Sequence, residues 1–309
     1  MSANVIASRS YACQECGAEL RLPEGRRSVA CLYCKCPTVI ERPGSADAPA
    51  PALVLPFVVP EAAARAAVAA WKKKWRWFHA SLAGAAIDEI QGIYLPAYLY
   101  SAALTSHYRC EIGEHYQETE EYETTENGKR VTKTRTVTKT EWRSLQGEHV
   151  GYVADVMVTA SRGLPNGELG AIEPFDMRLL RRYQAALVSG WASEDASVAP
   201  ADGVQAARAE AVRIEAGRIG AFLPGDNNRG LEFQTHVDRE SLDLALVPIW
   251  TLAIRPDPKQ PAQRVLCNGQ TARVWGAERW SPLKIAAFIA ILFAIGEGVW
   301  LALRAGGGG

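Results

Sequence analysis

Hydrophobic and polar positions alternate through most of residues 55–281, with two stretches of helical spacing among them. Pro60 opens the first stretch. Alanines follow it, and Val68, Trp71, Trp75 and Phe78 stand three or four apart, so Glu61 to Phe78 reads as a helix. Residues 201–217 are alanine-rich and read the same way. Residues 93–112 alternate like strands, with an interruption at Pro96. The sharpest local feature is a long hairpin: residues 114–126 and 129–142 flank Asn127-Gly128, a strong short-range turn signal. Glu114, Glu118, Glu120, Glu121, Glu123 and Glu126 dominate the first strand, and Lys129, Arg130, Lys133, Arg135 and Lys139 alternate with threonine on the second. Pairing outward from the turn sets Glu126 opposite Lys129 and Glu120 opposite Arg135, both favourable cross-strand pairs. With much threonine and few large apolar residues, neither face is expected to be deeply buried. A two-stranded arm projecting from the body is expected.

Composition divides the chain into zones. Residues 1–40 carry five of the seven cysteines and 41–54 form a Pro/Ala-rich linker; 55–281 are the body, 283–304 one apolar run, and 305–309 a glycine tail. Leu95-Pro96-Ala97-Tyr98-Leu99-Tyr100 echoes Val247-Pro248-Ile249-Trp250-Thr251-Leu252, and each follows an alanine-rich stretch. A match of six residues is compatible with duplication or with chance. The expected fold class is α+β: a small N-terminal zinc ribbon, a β-rich α+β body with a protruding β-hairpin, and a single C-terminal transmembrane helix.

The length of 309 residues allows one large or two modest domains with appendages. A hydrophobic content of 48% excludes wholesale disorder. Thirty-four basic residues balance 34 acidic ones, so charge makes no case for nucleic acid. No charged segment followed by an apolar run opens the sequence, and no secretory signal is read. Seven cysteines, an odd number at this length, do not make a disulfide scaffold.

Cys13-x2-Cys16 and Cys31-x2-Cys34 have the spacing of a structural zinc site, in which two tight turns each present two thiolates to one tetrahedral Zn2+. Such a site is closed and leaves no position for catalysis. Cys36 offers a fifth thiol that could replace a ligand. Arg26 and Arg27 at the expected hairpin tip are candidates for partner contact, with a solvated tip as the plainer reading.

Residues Ile285 to Leu303 contain a single charge, Glu297, and at 1.5 Å per residue cover about 28 Å, close to a bilayer core of roughly 30 Å. A membrane span is expected, with a soluble core helix as the competing reading. Zinc thiolates and the isolated Cys110 and Cys267 fit a reducing compartment, which puts the body on the cytoplasmic face of the inner membrane. Glu297 within a span would then be a partner contact. Trp71-Lys72-Lys73-Lys74-Trp75-Arg76-Trp77 mixes basic and aromatic residues; at helical spacing it reads as a packed face with a solvated one, or as a lipid-surface contact.

No phosphate loop, G-x-S-x-G or H-E-x-x-H motif is present, and His79, His107, His115, His149 and His236 are scattered. His107 and Cys110 are close in sequence, with nothing to orient them as base and nucleophile. The chain is not expected to be an enzyme.

These residues resemble a family of bacterial membrane proteins carrying a transcription-factor-IIB-type zinc ribbon. The resemblance rests on the four spaced cysteines, Leu55-Pro56-Phe57, Tyr94-Leu95-Pro96, the threonine-rich hairpin ending at Trp142, and Val247-Pro248-Ile249-Trp250. It rests above all on Asn268-Gly269-Gln270-Thr271, with Gly276 and Ser281-x2-Lys284-Ile285 following. Ala97-Tyr98 departs from an aromatic-Trp pair, Ala272 from a glycine, and residues 200–217 form an added helix. The resemblance implies a membrane adaptor that holds partner proteins, among them SPFH/flotillin-like and phage-shock-protein-A-like (ESCRT-III-like) factors of membrane-stress systems. The alternative is a membrane-tethered nucleic-acid-binding or transcription-associated zinc-ribbon module.

Overall fold

The computed structural model describes residues 8–12, 19–23, 28–30, 37–39, 49–74, 82, 85–87, 90–126, 129–255, 263–277 and 280–306. Near the N-terminus, β1 (Ser8–Ala12) pairs antiparallel with β2 (Glu19–Pro23), and β3 (Ser28–Ala30) with β4 (Pro37–Val39). In chain order Cys13 and Cys16 fall between the first two strands, and Cys31 and Cys34 between the second two. All four, with Cys36, Arg26 and Arg27, lie outside the described residues.

The body continues with β5 (Leu53–Val54), α1 (Glu61–Lys73), β6 (Ala86–Ile87), β7 (Gln91–Glu126), β8 (Lys129–Thr159) and α2 (Asn166–Ile172). After these come β9 (Arg181–Arg182), α3 (Ala185–Val188), β10 (Ala192–Ser193), α4 (Pro200–Phe222), β11 (Asn227–Arg255), β12 (Gln263–Asn268), β13 (Val274–Gly276) and α5 (Pro282–Gly306). Contacts divide the chain into two units. The first holds Met1–Ala97, Thr159–Ser197 and Leu244–Gly309, and the second Tyr98–Val158 and Val198–Asp243.

In the first unit, residues 249–254 of β11 pair antiparallel with β12, which pairs in turn with β13; residues 245–246 pair parallel with β5. The expected helix forms as far as Lys73 and buries Ala64, Val68 and Trp71 against Trp250, Leu252, Ile254 and Val265. Trp75 and Phe78, expected on the same face, lie outside the described residues. Lys73 and Lys74 are exposed, whereas Lys72, expected on the same solvated face, is half-buried and donates to the Ala85 carbonyl.

In the second unit, β7 alternates from Tyr100 onward. Tyr100, Ala102, Leu104, Ser106, Tyr108, Cys110 and Ile112 are buried, while the residues between them are half-buried or exposed, in the period of two expected of a half-buried strand; Tyr98 and Leu99 before them are both buried. Helix α4 covers the buried face with Gly203, Ala207, Ala211, Glu215 and Ile219, spaced four apart. Small residues let the helix approach closely; a Cβ on Gly203 would stand 2.5 Å from the Tyr98 ring, so that position excludes a side chain. Tyr98 completes the contact by donating its hydroxyl to the Val198 carbonyl at 2.7 Å. Beyond Gly113 the burial stops.

One expectation is corrected. The fold class is a β-rich body; no helix among the described residues is long and apolar enough to cross a membrane. Glu297, expected as a partner contact, lines a groove on α5 with Ile289, Leu292, Phe293 and Gly296. Among the described residues no group of three or more His, Cys, Asp or Glu could hold a metal, and the expected zinc ligands Cys13, Cys16, Cys31 and Cys34 lie outside them.

Candidate docking arm

The arm is the part of the β7–β8 hairpin that extends past the rest of its sheet. β11 begins at Asn227, where Asp226 donates its backbone N–H to the Gly113 carbonyl at 2.9 Å and accepts from His115 N–H at 2.7 Å. Past that point β8 pairs only with β7 among the described residues. Thirteen residues per strand at about 3.3 Å each give an arm of roughly 40 Å.

The sequence expected Glu120 opposite Arg135, and the two groups stand 3.2 Å apart. The ladder continues along the arm. Lys139 reaches Glu118 and Glu120, each at 2.8 Å, Arg130 lies 3.8 Å from Glu123, and Arg143 pairs with Glu114. Hydrogen bonds from Lys139 and then Arg135 hold the Glu120 carboxyl below its ordinary range, and Glu118 and Glu120 hold the Lys139 ammonium above its own. Both charges are therefore fixed at neutral pH. Tyr116, Tyr122 and Val131 are exposed on the same face as this ladder, and Arg135 lies over the Tyr122 ring at 5.6 Å. The opposite face of β8 presents Thr132, Thr134, Thr136, Thr138 and Thr140. Each strand of the arm thus carries one dominant sign of charge, acidic on β7 and basic on β8.

Two other polar clusters have an inward role. Asn268 is fully buried. Its side chain donates to the Ile172 and Pro174 carbonyls at 2.9 and 3.1 Å and accepts from the Gln270 and Thr271 backbone N–H groups at 2.8 and 3.0 Å. Gly269 donates to the Pro248 carbonyl and accepts from Val58 and Val59, while Gln270 accepts from Asp176 N–H. A Cβ on Gly269 would lie 2.7 Å from the Pro248 oxygen, so only glycine allows this approach. The Asn268-Gly269-Gln270-Thr271 motif is a clasp that closes the first unit. Ala272 follows it at φ 57°, the left-handed conformation that favours glycine.

The second cluster was not legible in the sequence. Glu215, fully buried on α4, meets His149 Nδ1 at 2.5 Å, and Arg218 stands 3.9 Å from its other oxygen. The pair joins residues 66 apart, one read only as a scattered histidine and the other as part of a helix, so no motif marks it. It resembles the carboxylate–imidazole half of a catalytic relay, yet the imidazole ring meets Phe222 in edge contact at 5.3 Å. An oriented nucleophile would be needed for acyl-transfer chemistry.

The two described thiols, Cys110 and Cys267, are buried and poor nucleophiles. Burial pushes Cys267 up to about 12 and raises Cys110. His107 points to Glu148 at 3.5 Å from the exposed side of β7, while Cys110 is buried on the other side. An open cavity of about 660 Å3 in the first unit is bordered by Phe57, Trp191 and Trp250, among others. Phe57 stacks on Trp191 at 4.0 Å and both meet Trp250 edge-on, so these rings mainly pack against one another. In comparisons with known proteins, the chain matches no family model, no curated protein and no solved structure.

Proposed function

We propose that this chain is a scaffold or adaptor whose arm holds a partner protein. The observation that carries the reading is the arm itself, about 40 Å of exposed paired strand with fixed charges, projecting past β11. The Asn268 clasp and the Glu215–His149 pair are turned inward, whereas the charged side chains of the arm face solvent. Loops and extensions carried on a rigid scaffold are common binding elements. Nucleic acid gains no support from charge, because 34 basic residues balance 34 acidic ones.

The experiment is to shorten the arm by joining Gln117 to Thr138 through Asn-Gly, which keeps the strand register, and to purify tagged full-length and shortened chains from their native cells after mild crosslinking. A defined protein that comes with the full-length chain, is lost from the shortened one, and rebinds from purified components supports the proposal. Equal recovery by both chains, with equal melting temperatures, would remove the arm from the function. A flotillin-like or phage-shock-protein-A-like partner would agree with the family resemblance.

A further inference from the structure

The outer edge of β8 differs from the outer edge of β7 in both charge and shape. Its arm segment, Arg130 to Trp142, contains no proline or glycine, and threonine and valine alternate with Lys133, Arg135 and Lys139. The one left-handed non-glycine position on β8, Asp155 at φ 56°, lies outside the arm. Exposed edges are commonly blunted by proline, bulges or short length, because unpaired N–H and C=O groups template another strand. On β8 of the arm only charge is present, and charge selects rather than forbids. A basic strand approaching this edge meets Lys133, Arg135 and Lys139 across a strand spacing; an acidic one meets opposite charges. The β7 edge carries Glu114, Glu118, Glu120, Glu121 and Glu123 and repels that same acidic strand.

We infer that the β8 edge of the arm takes up an extended acidic segment of a partner protein as an added strand. This specifies the partner's chemistry and rests on the scaffold reading. The added strand places carboxylates at every second residue, where Lys133, Arg135 and Lys139 stand, and small or β-branched residues between them, beside the threonines. Backbone hydrogen bonds supply the pairing, and side-chain charge supplies direction and choice of edge. Lys139 and Arg135 would then lie between two rows of carboxylates, one on β7 and one on the incoming segment.

The test uses the full-length chain and three fluorescent peptides read by anisotropy at low salt. The first alternates glutamate with threonine and valine, the second has lysine in place of each glutamate, and the third is the acidic peptide with prolines at the positions that would donate to β8. The expected result is binding of the first peptide more than about tenfold tighter than of either other, and loss of that preference on raising the salt. The triple variant K133E/R135E/K139E should reverse the preference and take the lysine peptide. K133Q/R135Q/K139Q, which leaves the arm without like-charge strain, should bind both weakly. Equal binding of the acidic and proline peptides would overturn strand addition, since simple electrostatics would then suffice. No binding, or self-association of the probe-free chain through the same edge, would overturn the acidic-segment inference. Either result leaves arm-dependent capture of a partner as a separate question.

Discussion

The clasp around Asn268 and the arm around Glu120 are both rich in polar residues and both conspicuous in the sequence, yet they do opposite things. In the clasp every side-chain hydrogen-bonding direction of Asn268 is turned inward and satisfied, linking the 172–174 segment to the turn after β12. In the arm the charged groups are exposed and matched only to one another across two strands. Buried, satisfied polar groups specify a structure. Exposed ion pairs contribute little to stability and stay available to a partner. A distinctive motif therefore does not by itself mark a functional site; burial tells which of the two roles it has.

The largest expected effect lies inside the second unit. His149→Ala strands the Glu215 carboxylate in the core and should destabilise the protein by about 3–5 kcal/mol, the usual cost of breaking a buried pair, measured by urea unfolding. Asn268→Ala should follow, at about 3 kcal/mol, because two carbonyls and two N–H groups lose their partner together. If either variant unfolds like the parent, the inward half of the comparison fails.

A gain is expected beside the clasp. Ala272→Gly removes the steric cost of its left-handed backbone and should stabilise by roughly 1 kcal/mol, net of the greater freedom glycine brings to the unfolded chain. Calorimetry would show a higher melting temperature; a lower one would mean that the loop does not hold φ near 57°.

Glu240 gives a pH signature. Hydrogen bonds from Arg208, and also from the Tyr100 hydroxyl at 2.8 Å, hold its carboxyl below the ordinary range despite partial burial. A depressed carboxyl stabilises the fold fully above its unfolded pKa, near 4.3, and that contribution is lost as the pH falls through the lower folded value. Glu240→Gln should flatten the acid limb of the stability curve and leave the slope at neutral pH unchanged. Tyr100, pushed up to about 12 mainly by burial and then by this carboxylate, stays a donor throughout that range.

The smallest expected effect is on the arm. Arg135→Ala with Lys139→Ala removes three of its ion pairs and should leave the melting temperature within error of the parent while weakening capture of an acidic segment. A clear loss of stability would place the arm with the clasp, as a structural element.

The arm was legible because its signals are local: Asn127-Gly128, alternation, and a charge sign that changes at the turn. The sheet beneath it was only partly so. Pro96 read as an interruption, but β7 runs through it, since proline lacks only the donor and its carbonyl still accepts from Ala160 N–H at 3.0 Å. Helix α4 was visible as an alanine-rich stretch. Its contact face was not, because that face is a row of small residues with Glu215 in it rather than an apolar stripe. The apolar run near the C-terminus was legible as a helix, whereas among the described residues no helix is long and apolar enough to cross a membrane. The motif at Asn268 was noticed for its distinctiveness, whereas its role depends on carbonyls nearly a hundred residues away.

The most direct test of the central claim, that the arm is a binding surface while the rest of its strands hold the fold, is site-specific photocrosslinking in living cells. A photoreactive residue would replace Thr134, exposed on the arm, and in a second chain Arg182, exposed in the first unit. The account predicts a discrete crosslinked species from position 134 that is absent at 182 and disappears with K133E/R135E/K139E. No crosslink at 134, or the same pattern at both positions, would contradict it.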